Sequence, residues 1–222
     1  NSRLTLPGKA KAGKQVTVKV SWNNEKYTTQ AAADGHFTIE VPTPSAGGPY
    51  QITVSDGEKL VLNNVLSGEV WICSGQSNME MRMMGNTAQP IDNSLETLLN
   101  AGNYRDRIRF ITVPRIKDVQ RRADFKKEKW KVSTPETTID CSATAYFFAK
   151  QITETLNLPV GLVINSWGGS RIESWMTEET LSSIQGIDIE TAKSSKLDVR
   201  NRLGCLYDIM LWPVKNFTAK GF

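Results

Sequence analysis

Residues 69–80 read EVWICSGQSNME, and how this stretch is read decides the fold. Val70, Trp71, Ile72 and Cys73 form a continuous apolar run, the pattern of a strand buried on both faces. Gly75 lets the backbone turn sharply at its end. Ser77 and Glu80 then stand in the S-x-x-E spacing of a capping box, with Ser77 capping a short helix. On that reading Met79, Met83 and Met84 are the helix's core face. The same spacing also places the Ser77 N–H at the positive end of a helix, beside the position where an oxyanion would be stabilised. The motif is not the G-x-S-x-G elbow, because Met79 stands where glycine is needed.

Working outward, RIRFITV (107–113) reads as a second buried strand and PVGLVIN (159–165) as a third. Between them, Ala145, Phe148, Ala149, Ile152 and Leu156 follow helical spacing. Asp140 or Ser142 is available as the cap, and Pro159 lies just past the end. Strand, helix, strand in this order is a βαβ unit, hence a parallel α/β sheet. In such sheets active sites form at the carboxyl ends of the strands. The third strand leads into SWGGSRIESW (166–175), where Gly168 and Gly169 can expose backbone N–H groups. Trp167, Arg171 and Trp175 are candidates for a substrate rim, and Arg171 and Glu173 can pair with each other.

Residues 1–68 have a different grammar. Val16, Val18, Val20 and Trp22 alternate with polar residues, as do Phe37, Ile39 and Val41, and Tyr50, Ile52 and Val54. The turn signals WNNEK, ADGH, PSAGGP and SDGEK separate them, so the segment reads as a small antiparallel β-sandwich. The domain reading is therefore 1–68 as a β-sandwich and 69–222 as an α/β domain.

The 222 residues are 39% hydrophobic and 23% charged, ordinary for a globular protein, with a net charge of +4. No apolar run approaches the roughly 20 residues of a membrane span. Residues 115–131 hold eight Lys/Arg against three Asp/Glu, read as a solvated connection or as a basic rim for an acidic substrate. No nucleic-acid motif accompanies them. Cys73, Cys141 and Cys205 show no CxxC spacing, so no metal site is expected, and Cys73 reads as a buried small hydrophobe. A further reading is a glycosidase using Glu80 and Glu173 as paired carboxylates. His36, in ADGHF, falls in a turn of the first domain and is not a catalytic candidate.

The blocks GEVWICSGQSNME, YFFAKQI, PVGLVINSWGGSRIESWM and LYDIMLWPVKNFTAKGF, in that order, resemble the sialate O-acetylesterase family. That family is a branch of the SGNH (GDSL-like) hydrolases that also holds acetylxylan esterases. The resemblance implies an SGNH-hydrolase-like three-layer parallel sheet, incomplete at its C-terminal end, preceded by a jelly-roll-like β-sandwich domain. It implies a serine esterase acting on O-acetylated carbohydrate, either sialic acid or a plant polysaccharide such as xylan, without cofactor or metal. Ser77 would be the nucleophile and an N–H oxyanion donor, and Gly169 a second donor, with Gly168 allowing the turn. Gln76, Asn78, Trp167 and Arg171 would face the substrate. The family's third donor, an asparagine in a WYQGESN-like block, and its Asp-x-x-His base are not among these residues. They are expected from a missing C-terminal segment or a second chain, and the protein from a secreted or periplasmic location. The competing expectation is a catalytically inactive carbohydrate-binding protein with the esterase fold.

Overall fold

The computed structural model describes residues 3–125 and 128–222. The chain divides into two compact units, Asn1–Gly68 and Glu69–Phe222.

The first unit is antiparallel. Strands β1 (Arg3–Lys9) and β4 (His36–Pro42) pair with each other, and β3 (Lys26–Gln30), β2 (Gln15–Val20), β5 (Gly47–Ser55) and β6 (Lys59–Ser67) form a four-stranded sheet in that order. Alternation along β2 and β4 sends Val18, Val20, Ile39 and Val41 into one apolar cluster shared by both sheets, joined by Ile52. Trp22 lies beyond the end of β2, where its indole N–H donates to the Pro42 carbonyl at 3.0 Å. The glycines of PSAGGP are not a separate turn, because β5 begins at Gly47. His36 opens β4 instead of lying in the turn, with Nδ1 3.1 Å from Asp34 Oδ2.

The second unit is built on β7 (Glu69–Gly75), β8 (Ile108–Thr112), β9 (Lys131–Val132) and β10 (Val160–Ser166), in the order β7-β10-β8-β9. β10 runs parallel to both β7 and β8, and β9 is antiparallel to β8. The helices are α1 (Ser77–Glu80), α2 (Ser94–Leu99), α3 (Pro135–Thr138), α4 (Ala143–Leu156), α5 (Glu178–Ser182) and α6 (Ile189–Lys193). Period-two alternation explains why the strands read as unbroken apolar runs. Trp71, Cys73, Ile108, Phe110, Leu162 and Ile164 pack on one side with α4, while Val70, Ile72, Ile111 and Val163 pack on the other with Leu206, Ile209, Met210 and Val214. Each such side chain removed from water contributes about 1.5–3 kcal/mol.

Ser142 is the cap of α4, its hydroxyl accepting the Ala145 N–H at 3.2 Å, while Asp140 instead pairs with Arg82 at 3.0 Å. The buried stripe of α4 is rotated from the expected one. Ala145, Tyr146, Ala149 and Thr153 are buried, whereas Phe148 and Leu156 are exposed. Tyr146 can lie inside because its hydroxyl meets Ser133 Oγ at 2.6 Å. Phe148 packs edge-on against Trp71. Asn157 in a left-handed conformation ends the helix.

The connection 115–131, of which Lys126 and Lys127 lie outside the described residues, is not simply solvated. Arg121 pairs with Asp208 and lies over the Trp212 ring, and Arg122 pairs with Asp118. Among the described residues no helix is long and apolar enough to cross a membrane, and no cluster of three His, Cys, Asp or Glu could hold a metal.

Candidate active site

Parallel pairing brings two loops together. Gly75 at the end of β7 stands opposite Ser166 at the end of β10, and the Trp167 N–H continues the ladder to the Gly75 carbonyl at 3.1 Å. The chains leaving both strands therefore start side by side. Gly75 has φ +150°, and a Cβ there would lie 3.2 Å from Met79 Cβ, so the turn into α1 needs glycine.

The helix start differs from the capping-box reading. Gln76 is the cap, and Ser77 is the first residue inside α1. The Ser77 hydroxyl donates to Gln76 Oε1 at 2.7 Å, and the Glu80 N–H bonds the Gln76 carbonyl at 2.8 Å. An amide that accepts from the residue just inside the helix replaces the reciprocal Ser–Glu pair, which frees the Glu80 carboxylate. α1 is a single turn, so Met83 and Met84 lie beyond it. Met83 is fully buried, Met79 packs against the core, and Met84 is exposed.

The freed carboxylate ties the two loops together. Glu80 Oε2 accepts the Gly168 N–H, and Glu80 Oε1 pairs with Arg115. A Cβ on Gly168 would stand 2.9 Å from Glu80 Oε2 and 3.7 Å from Ser77 Cα. A side chain at 168 would therefore displace the Glu80 carboxylate that binds the Gly168 N–H. The left-handed backbone is at Gly169, φ +70°, so that residue and not Gly168 makes the turn. From the other side Arg200 Nη1 donates to the Gly168 carbonyl at 3.2 Å, with its guanidinium against Gly169. Gln76 adds a second tie, Nε2 donating to the Ser170 carbonyl at 3.3 Å. The Gly168 N–H is occupied, whereas the Gly169 N–H makes no hydrogen bond among the described residues.

Ser77 is exposed and opens on a polar cavity of about 370 Å³ lined also by Glu80, Arg82, Asn86, Gln89 and Arg115. Gln76, Arg171 and Trp175 line a second cavity of about 330 Å³. Trp167 lines neither of these two and packs into the apolar cluster behind the sheet. Asn78 is exposed, and its carbonyl accepts the Thr144 hydroxyl at 3.1 Å. The expected Arg171–Glu173 pair does not form among the described residues. Arg171 is held through its N–H to Asn201 Oδ1 at 3.0 Å. Glu80 is committed to Arg115 and Gly168, which removes it from the carboxylate pair of a glycosidase.

Residues that sequence reasoning missed are Arg115, Arg200 and the cavity wall at Asn86 and Gln89. Arg115 heads the basic run, the one signal that could have singled it out. Arg200 lies in a polar segment without periodicity.

Comparison with known proteins gives the family. The family model described as carbohydrate esterase, sialic acid-specific acetylesterase, matches residues 67–200. The chain belongs to this family. It is similar to the sialate O-acetylesterase of Homo sapiens, 28% identical over 94% of this chain and 42% of that protein. It is likewise similar to the sialate O-acetylesterase of Rattus norvegicus, 28% identical over 99% of this chain and 47% of that protein. A crystal structure of a carbohydrate acetylesterase from Xanthomonas citri superposes with a TM-score of 0.82 at 29% identity, covering the whole of this chain and 46% of that one. The chain thus spans a little under half the length of these esterases. Its mixed α/β fold with several sheets is that of a carbohydrate esterase.

Proposed function

We propose that this chain carries the nucleophile and part of the oxyanion hole of a carbohydrate O-acetylesterase acting on acetyl esters of sugars, sialic acid or a plant polysaccharide such as xylan. The carrying observation is the contact between two loops: Ser77, at the start of α1, abuts the Gly168–Gly169 turn, whose Gly169 N–H is unoccupied. Ser77 Oγ attacks the acetyl carbonyl. The Gly169 N–H and the Ser77 N–H, the latter exchanging its long 3.5 Å bond to Gln76 Oε1, receive the developing oxyanion. Collapse releases the sugar hydroxyl, and water then frees acetate from the acetyl-enzyme. Glu80, Arg115 and Arg200 act by holding the Gly168–Gly169 turn in place.

The proton on Ser77 Oγ needs a base. Its partner here, Gln76 Oε1, is a neutral amide and holds the hydroxyl without accepting the proton. We assign the base, with the third oxyanion donor, to residues outside these 222, on a C-terminal continuation or a second chain. In this reading Glu69–Phe222 is the N-terminal part of an SGNH-hydrolase-like three-layer domain. The apolar clusters on both faces of its sheet support that. The first unit is a β-sandwich, supported by the cluster its two sheets share.

Ser77→Ala in the complete enzyme is expected to lower p-nitrophenyl acetate turnover at least about a thousandfold. Wild-type turnover in that variant would sink the assignment. The amide partner of Ser77 Oγ also favours a second reading, a carbohydrate-binding protein with the esterase fold. That reading expects no turnover from the wild-type complete protein.

A further inference from the structure

The face of the four-stranded sheet turned away from the apolar cluster carries a different chemistry. Along β2, Val16, Val18 and Val20 point inward, so Gln15, Thr17 and Lys19 point outward. Cross-strand register sets Lys19 beside Lys26 on one side and Thr53 on the other, and Thr17 beside Ser55, which pairs with Lys59. Lys14 joins from the preceding turn, its ammonium 3.0 Å from the Asp56 carbonyl. These side chains line a concave surface of about 760 Å³, together with Ser21, Asn24 and Gln51.

Its charge is only partly compensated, with Asp56 the single carboxylate residue lining it against four lysines. Lys14, Lys19, Lys26 and Lys59 are all exposed, and among the described residues none has a carboxylate within 4.0 Å. Three of the unit's five carboxylates are engaged elsewhere. Glu25 accepts from Tyr27, Asp34 faces His36, and Glu40 pairs with Arg3. Like charges directly opposite across strands, as at Lys19 and Lys26, weaken a sheet unless an external anion answers them. No aromatic ring lines the surface, so it offers no platform for stacked bases and would hold a polymer by charge and hydrogen bonds, not by ring stacking. What remains is positive charge set among hydroxyl and amide groups. The hydroxyls of Thr17 and Thr53 make no side-chain hydrogen bond among the described residues.

We propose that this face binds a carboxylated polysaccharide, the lysines answering its carboxylates and the threonine, serine and amide side chains its hydroxyls. The proposal is independent of the catalytic reading, since it concerns the first unit alone.

The test uses the 222-residue chain and polygalacturonate as probe, by titration calorimetry at low salt. Binding is expected and weakens as salt rises. The quadruple variant Lys14→Gln, Lys19→Gln, Lys26→Gln, Lys59→Gln is expected to bind about thirtyfold more weakly, four exposed ion pairs each contributing about 0.5 kcal/mol. The four corresponding Lys→Arg changes should keep binding within a few-fold, which separates lost charge from lost folding. Three results would each overturn the proposal: no binding of polygalacturonate by the wild-type chain; equal binding of dextran or duplex DNA; or an equal loss from Lys117→Gln, Lys129→Gln, Lys131→Gln, Lys196→Gln, which removes the same charge from the other unit.

Discussion

Truncating Glu80 to alanine should release the Gly168–Gly169 turn without disturbing Ser77 itself. The carboxylate makes two bonds. Its pair with Arg115 joins side chains 29% and 36% exposed, and that exposure confines its worth to about 0.5 kcal/mol. Its bond from the partly buried Gly168 N–H is charge-assisted, worth about 1.5 kcal/mol at the low end of such bonds. Together they anchor the turn by about 2 kcal/mol, which corresponds to about thirtyfold in a local opening equilibrium. Amide hydrogen exchange of the segment 166–170 in the intact chain reads this directly. Glu80→Ala should speed exchange at Gly168 about thirtyfold, and Glu80→Gln, which keeps one acceptor oxygen, by less. In the complete enzyme the same loosening should lower kcat more than it raises KM, because the Gly169 N–H matters most when the oxyanion forms. Exchange at Gly168 within twofold of wild type in Glu80→Ala would refute the anchoring argument, whatever happened to activity.

Other outcomes follow from single contacts. Arg200→Met keeps the stem against Gly169 but removes the donor to the Gly168 carbonyl, and should speed exchange in the same segment by a smaller factor, about five- to tenfold. Tyr146→Phe removes the hydroxyl bonded to Ser133, which still donates to the Ala101 carbonyl, so urea denaturation should show a loss of only about 1 kcal/mol. Burial pushes the Cys73 thiol from its ordinary 9.0 up to about 11, and burial raises Cys141 in the same cluster too. Unfolded thiols ionise first, so the stability contributed by the neutral thiols is full below pH 9 and is lost as pH climbs to 11. For Cys73 this is on the order of 3 kcal/mol, and the fall in urea midpoint over that window should be smaller in Cys73→Ala.

The buried parallel strands were legible because they are apolar on both faces. VWIC, RFI and GLVI each fill two clusters at once, and no surface segment does that. The glycine pair and Ser77 were legible for the opposite reason: small or polar residues directly after such runs are out of place unless a loop needs them. The capping box was misread because Gln76 can do from the cap position what Ser77 would do there. That substitution depends on the amide's reach to Ser170, a contact across 94 positions that no local pattern contains. β1 and β6 escaped notice for local reasons. β1 contains Pro7 and Gly8, which argue against a strand interior. β6 is an edge strand that leaves Leu60, Val61 and Leu62 exposed, so its apolar residues do not alternate with burial. Arg115 and Arg200 were invisible because their partners, Glu80 and the Gly168 carbonyl, come from distant parts of the chain.

The strand order has a consequence for how the chain folds. β7 and β8 are made first but do not pair with each other; β8 can pair with β9, but the β8–β9 pair joins β7 only when β10 inserts between them. During synthesis Ser77 therefore emerges long before the turn it works with. Closing the intervening loop costs entropy before any ladder bond is gained. Insertion of residues 160–166 is then the event that joins the two parts of the sheet and brings the site together in one step. A substitution on the buried face of β10, such as at Val163, should delay acquisition of activity after refolding in proportion to its effect on that insertion, although it touches no substrate.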